Sequence, residues 1–186
     1  MSAALDLADS ALTVEVIFRE HAPYVWRVLR RLGVGEDDVE DACQEVFVVV
    51  HRRLSSFDRA CAVRTWLYGI CARVASEHRR KAQRRREAPA QDELPEIGSP
   101  AAQEDALEER RARDRLDLAL SELDDDKRAV LVLYEIEGLT MQEVAEALGC
   151  PLQTAYSRHQ AARKIVVRKL TQADGEAESS TPRSGP

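Results

Sequence analysis

The densest chemistry in this chain is a run of cations. Arg73, Arg79, Arg80, Lys81, Arg84, Arg85 and Arg86 lie close together, with Glu77 as the single acid among them. Such a run condenses on a phosphate backbone and releases counterions when it binds; a solvated helix end is the plain alternative. Phe57, Trp66 and Tyr68 come just before it, in a chain with only 5% aromatic residues. Aromatic rings beside a cationic track hold unpaired bases by stacking, although Trp66 and Tyr68 also fit core positions. A second set lies further on: Gln153, Thr154, Ser157, Arg158 and Gln160, followed by Arg163 and Lys164. These are donors and acceptors of the kind that address base edges and phosphates.

No reaction chemistry accompanies these sets. There is no Gly-rich phosphate loop, no H-E-x-x-H and no nucleophile–base constellation, so neither an enzyme nor a cofactor is expected. Cys43, Cys61, Cys71 and Cys150 are scattered without a C-x-x-C pair, and three of them fall within helical apolar patterns. There a cysteine acts as a small hydrophobe, so no metal site is expected. The reading that follows is a reducing, cytoplasmic setting. No apolar run is long enough to span a bilayer, and the first residues lack the pattern of a secretory signal.

The elements that must position these residues are helical throughout. Thr140-Met141-Gln142-Glu143 fits the S/T-x-x-E capping box. Met141, Val144, Ala145 and Leu148 then repeat at helical spacing, and Gly149 suits the left-handed position past a helix end. Pro151 fits the first position of a new helix, whose stripe is Leu152, Ala155, His159, Ala162, Val166 and Leu170. This is a helix-turn-helix with Cys150 as a poor cap and His159 on the packed stripe; its second helix is suited to a major groove. An ordinary helical hairpin is the alternative on this segment alone.

Upstream, a helix is expected over about 14–32, with Phe18, Ala22, Val25, Leu29 and Leu32 on one stripe and Pro23 bending or restarting it. A second helix faces Val39, Cys43, Val46 and Val50 inward and carries Asp41, Gln44, Glu45 and Val48 on another side. A loop follows at 55–64, then a long helix with Leu67, Ile70, Cys71 and Val74 packed. Gly69 within that helix marks a place of close packing.

The net charge of −6 hides a partition. Residues 13–86 hold 15 basic and 10 acidic groups (net +5), 87–126 hold 4 and 14 (net −10), and 127–170 hold 7 and 4 (net +3). The expected architecture is all-α: two small helical domains, 13–86 and 115–170, joined by a flexible acidic linker over 87–114. A flexible N-terminus (1–12) and a disordered tail (171–186) flank them.

The segments "DVEDACQEVFVVVHRRLSSFD", "VRTWLYGICARVASEHRRKAQRRR" and "LTMQEVAEALGCPLQTAYSRHQAARK" resemble regions two and four of bacterial RNA polymerase sigma factors, with the spacing of the extracytoplasmic-function group. The resemblance implies a protein that joins the core polymerase, through its β′ and β subunits, and directs it to promoter DNA. Asp41, Gln44 and Glu45 would dock on the clamp coiled coil of β′. Phe57, Asp58 and Arg59, in the loop 55–64, would take up a flipped base of the −10 element. Arg79, Arg80 and Lys81 would run along DNA nearby, and Gln153, Thr154, Ser157, Arg158 and Gln160 would read the −35 element. An anti-sigma factor is a further implied partner. "SELDDDKRA" departs from the proline-bearing entry usual in region four. The competing reading is a helix-turn-helix regulator that acts at an operator without joining the polymerase. It leaves the Asp41–Gln44–Glu45 face and the aromatic loop without a role.

Overall fold

Helix α1 (Val14–Arg31) begins where the Thr13 side chain accepts a hydrogen bond from the Val16 N–H, 3.4 Å away. The computed structural model describes residues 12–57, 59–87 and 114–179. Ile17, Tyr24, Val25, Val28 and Leu29 form the buried face of α1. Phe18, expected on the inner stripe, instead lies more than half exposed against the edge of Phe47. Pro23 neither ends nor restarts the helix. It lies on the exposed side, where the N–H it lacks removes only one solvent-facing bond.

Helix α2 (Val39–Arg53) buries Val39, Ala42, Val46, Phe47 and Val50, and opens on acids and closes on bases, as the helix dipole favours. A short 3-10 turn (Leu54–Ser56) and an extended Phe57 lead to α3 (Val63–Glu87). Leu67, Tyr68, Ile70, Cys71 and Val74 of α3 are buried against α1 and α2. Of the expected linker 87–114, residues 88–113 lie outside the described residues; Glu87 closes α3 and residue 114 opens α4 (114–121).

Helix α5 (Asp125–Leu131) is capped by Asp124, whose carboxylate accepts from the Lys127 N–H at 2.9 Å. It widens into a π turn (Val132–Ile136), in which the Glu137 N–H reaches back five residues to the Val132 carbonyl. Helix α6 (Met141–Leu148) follows with the expected capping box: Thr140 accepts from the Glu143 N–H, and Glu143 accepts from the Thr140 N–H at 2.8 Å. Those bonds from Thr140 hold the Glu143 carboxyl below its ordinary range. Thr140→Ala is expected to cost about 1 kcal/mol of stability in chemical denaturation, the usual worth of a helix cap.

Gly149 ends α6 at φ 63°, the left-handed value that favours glycine. Helix α7 (Leu152–Ser179) then starts one residue later than expected. The Pro151 carbonyl accepts from the Thr154 and Ala155 N–H groups at 2.9 and 3.1 Å, so Pro151 is the cap itself and Cys150 lies outside. At the other end α7 runs to Ser179, past the boundary at 170 where order was expected to stop. The added stretch has two Ala, two Glu and one Gln, all good helix formers, beside one glycine. Residues 1–11 and 180–186 lie outside the described residues.

The two modules, α1–α3 and α4–α7, pack on one another, and their buried residues form one continuous cluster. The seam runs between α3 and α6. At Gly69 a Cβ would fall on the backbone carbonyl oxygen of Ala147. The close packing expected at this glycine is a contact between the modules.

Candidate nucleic-acid interface

The outer face of α2 presents Asp41 and Gln44 to solvent, with Val48 exposed one turn on. Glu45 differs from its neighbours. Its carboxylate lies 3.0 Å from Nε2 of the buried His78 on α3, so it ties α2 to α3 as well as bordering the surface.

The loop after α2 is ordered by aromatic packing. Phe57 is half-buried, with its ring stacked on Trp66 at 4.7 Å between centroids and 28° between planes. Arg59 is exposed and adopts φ 61°, a conformation that side chains with a Cβ seldom take. Asp58 lies outside the described residues. Tyr68 does not belong to this surface. It is buried beside Tyr24, and its hydroxyl donates to Glu137 at 2.7 Å. Arg64 covers the Tyr24 ring at 4.3 Å, which brings another cation close to the loop.

The cationic run on α3 is not uniformly open. Arg80, Lys81, Arg84, Arg85 and Arg86 are exposed, with Arg85 reaching Asp38 at 2.5 Å. Arg79 is 21% exposed: it donates to the Leu123 carbonyl at 3.1 Å and pairs with Asp125 at 2.9 Å. The Asp125 carboxylate also accepts from the Ser76 hydroxyl at 2.6 Å and faces Arg80 at 3.9 Å. A cavity of about 510 Å³ opens here, with Gly69, Arg73, Arg80, Asp125 and Ala147 in its walls.

On α7, Gln153, Ser157 and Gln160 are exposed and Thr154 is half-buried. Arg158 is paired with Asp126 at 2.5 Å. Tyr156, which periodicity alone does not single out, stands nearly half exposed on the same face. The inner side holds Ala155, Ala162 and Val166. His159 packs edge-on to Tyr134 at 4.8 Å and meets the Glu135 carboxylate at 2.7 Å, the contacts of a hydrogen-bonded packing residue.

Two polar groups are buried where the modules meet. Glu137, 8% exposed, receives Tyr68 and Arg31 of the first module. Arg128 donates from Nε to the Arg31 carbonyl at 3.0 Å, and a Cβ at Gly33 would lie 2.6 Å from its guanidinium carbon. Burial, with the Arg79 charge next, pushes the Arg128 guanidinium down to about 10. It therefore stays charged at neutral pH. Neither residue was legible as functional in sequence, because each is defined by partners between 69 and 106 positions away.

The comparisons with known proteins agree with this geometry. Residues 17–85 match Sigma-70 region 2, and residues 113–166 match Sigma-70 region 4. The ECF RNA polymerase sigma-E factor of Haemophilus influenzae is 31% identical over 147 residues, covering 74% of this chain and 77% of that protein. The ECF RNA polymerase sigma factor SigM of Mycobacterium tuberculosis is 28% identical over 167 residues, covering 90% and 82%. The solved structure of CnrH in complex with the cytosolic domain of CnrY superposes with a TM-score of 0.62 at 25% identity, over 87% of this chain and 88% of that one. RpoE of Bartonella quintana, solved with the anti-sigma factor NepR, shares the fold at a TM-score of 0.62 and 19% identity, over 84% and 96%.

The chain belongs to the extracytoplasmic-function family of RNA polymerase sigma factors. It is an alternative sigma factor, which binds core polymerase and directs it to promoters, and that family is not a class of enzymes. The operator-bound regulator is thereby set aside. Among the described residues no helix is long and apolar enough to cross a membrane.

Proposed function

We propose that the three surfaces divide the work of initiation. The outer face of α2, through Asp41 and Gln44 with Glu45 behind them, docks on the β′ clamp, and the second module contacts β. The loop at Phe57–Arg59 and the helix face of Arg79, Arg80 and Lys81 take the −10 element. Gln153, Thr154, Ser157, Arg158 and Gln160 take the −35 element from the major groove. The observation that carries this is the pairing of a ring stack, Phe57 on Trp66, with the cationic helix that starts three residues before Trp66. Duplex binding needs only the cations, whereas rings add a way to hold unpaired bases. Adding the protein to core polymerase and mapping start sites genome-wide tests the reading: a defined promoter class supports it, and starts indistinguishable from those of core alone refute it.

Two partners and a place follow from the same reading. Similar proteins are RNA polymerase sigma factors, and two similar structures hold their sigma factor in complex with the cytosolic domain of CnrY and with the anti-sigma factor NepR. An anti-sigma factor for this chain and a cytoplasmic location are therefore part of the proposal.

Arg158→Ala is expected to weaken binding to a −35 duplex by about 1–3 kcal/mol, the usual worth of an arginine that contacts a base edge or phosphate. Asp126 holds the same guanidinium in the DNA-free chain, so part of the arginine's gain is spent on leaving that pair. A titration at fixed salt with unchanged affinity would remove Arg158 from the site.

A further inference from the structure

The inner stripe of α3 runs through Leu67, Cys71, Val74 and His78, and its last member breaks the pattern. Helical spacing calls for an apolar side chain at this position, yet an imidazole is buried there, 9% exposed. Burying a polar ring is unfavourable unless it is hydrogen-bonded. The bond it makes is to the surface side of the module: Nε2 of His78 lies 3.0 Å from a carboxylate oxygen of Glu45 on α2. A carboxylate only accepts, so Nε2 is the nitrogen that donates in this pair. The Glu45 side chain is 37% exposed, so it is held from inside and still reaches solvent.

Glu45 follows Asp41 by one turn of α2. Side chains at i and i+4 are neighbours, about 5–6 Å apart at Cβ, and two like charges at that spacing repel. Without a partner, the Glu45 carboxylate would swing away from Asp41. The bond from His78 keeps it beside its neighbour.

We propose that His78 is a positioning residue of the polymerase interface: from inside the first module it fixes one carboxylate oxygen of Glu45, so that the other stands beside Asp41 as an acceptor for a cationic side chain of the polymerase. The inference rests on the reading that the outer face of α2 docks on the β′ clamp. A free glutamate must be immobilised when it pairs with a partner, and here that ordering is complete once the chain has folded. The gain is about two- to tenfold in affinity, the usual cost of immobilising one long side chain at an interface.

A plain tether between α2 and α3 is the competing role for the same bond, and charge separates the two. Glu45→Gln keeps an oxygen that accepts from Nε2–H but loses the charge, so the tether survives and the docking group does not. His78→Gln keeps an N–H donor at comparable reach. His78→Leu and His78→Phe fill the space without a donor. The experiment titrates the full chain against core polymerase in the absence of DNA, so that the cationic face of α3 meets no promoter, and follows the denaturant unfolding of each variant in parallel.

Glu45→Gln should weaken core binding by about tenfold with an unchanged unfolding midpoint. His78→Leu and His78→Phe should weaken it by about two- to tenfold, and His78→Gln should recover most of the wild-type affinity. In the Glu45→Gln background the same changes at His78 should lower affinity no further, because no charge is left to position. Wild-type affinity in Glu45→Gln overturns the proposal, and this arm stands even if an apolar residue at position 78 unfolds the chain. If Asp41→Ala/Gln44→Ala then still fails to bind, the docking reading of α2 survives; if it binds too, that reading falls as well. Full affinity in both apolar His78 variants, or His78→Gln no better than they are, removes the hydrogen bond from docking and overturns the proposal. An equal loss at His78 in the wild-type and Glu45→Gln backgrounds makes it a packing residue alone, which overturns the positioning role.

Discussion

Replacing Asp41 and Gln44 with alanine should abolish co-purification with core polymerase while leaving the helical circular dichroism unchanged. Both side chains are exposed, and the buried face of α2 is made by Val39, Ala42, Val46, Phe47 and Val50, so packing loses nothing. The few hot-spot residues near the centre of a docking surface cost about 2 kcal/mol or more each on truncation, and Asp41 and Gln44 are expected to be of that kind. Two such losses, if roughly additive, lower affinity by about three orders of magnitude, enough to leave no complex at micromolar concentration. Glu45 is a poorer choice for this test. Its contact with His78 means that Glu45→Ala would also loosen α2 from α3, and a loss of polymerase binding would then have two explanations. Transcription from a promoter should fall in parallel. A doubly substituted chain that still co-purifies at wild-type levels would take this face out of the polymerase interface.

Local chemistry was the legible part of this protein. The capping box at Thr140 and Glu143, the left-handed Gly149 and the buried stripe of Leu67, Ile70, Cys71 and Val74 all depend on residues a few positions apart, and they form as the spacing predicts. The errors are local too, and each has a cause. Phe18 matches the inner stripe of α1 by period, but the buried arc is centred on Ile17, Tyr24 and Val28, one step around the helix. Pro151 fits either the cap or the first helical position, because both tolerate a missing N–H; the bonds to its carbonyl decide for the cap.

The candidate site was legible by residue type and illegible by pairing. Asp41, Gln44, Gln153, Ser157 and Gln160 are exposed as a binding face requires. Sequence could not show that Arg79 and Arg158 are already held by Asp125 and Asp126, or that Tyr68 is a seam residue rather than a stacking platform. The run at 124–126 was visible as an unusual entry to the second module. Its meaning depends on α3 lying against α5 and α6, and nothing in a helical period encodes which helices of two modules will touch.

Phe57→Ala holoenzyme should bind promoter duplex nearly normally yet give little permanganate reactivity at thymines around the −10 element. Unpairing a base costs a few kcal/mol, and stacking it on an aromatic ring returns roughly 1–3 kcal/mol. Losing the ring should therefore shift complexes toward the closed form by about one to two orders of magnitude. Geometry adds a constraint on how the base is held. Phe57 already stacks on Trp66, and separating two such rings costs about 0.5–1.5 kcal/mol, which would consume much of the gain from a base slipped between them. A base laid on the outer face of the pair keeps that contact and receives a platform two rings deep. Phe57 is half-buried rather than buried, so an outer face is available. A premelted template should largely rescue Phe57→Ala if the ring only nucleates the bubble, and rescue it in part if the ring also holds the flipped base. Phe57→Leu separates base stacking from a purely packing role. Leucine can fill the space over Trp66 and anchor the loop, but it offers no π face. Wild-type permanganate reactivity in Phe57→Leu would show that the ring serves the loop alone and does not touch DNA.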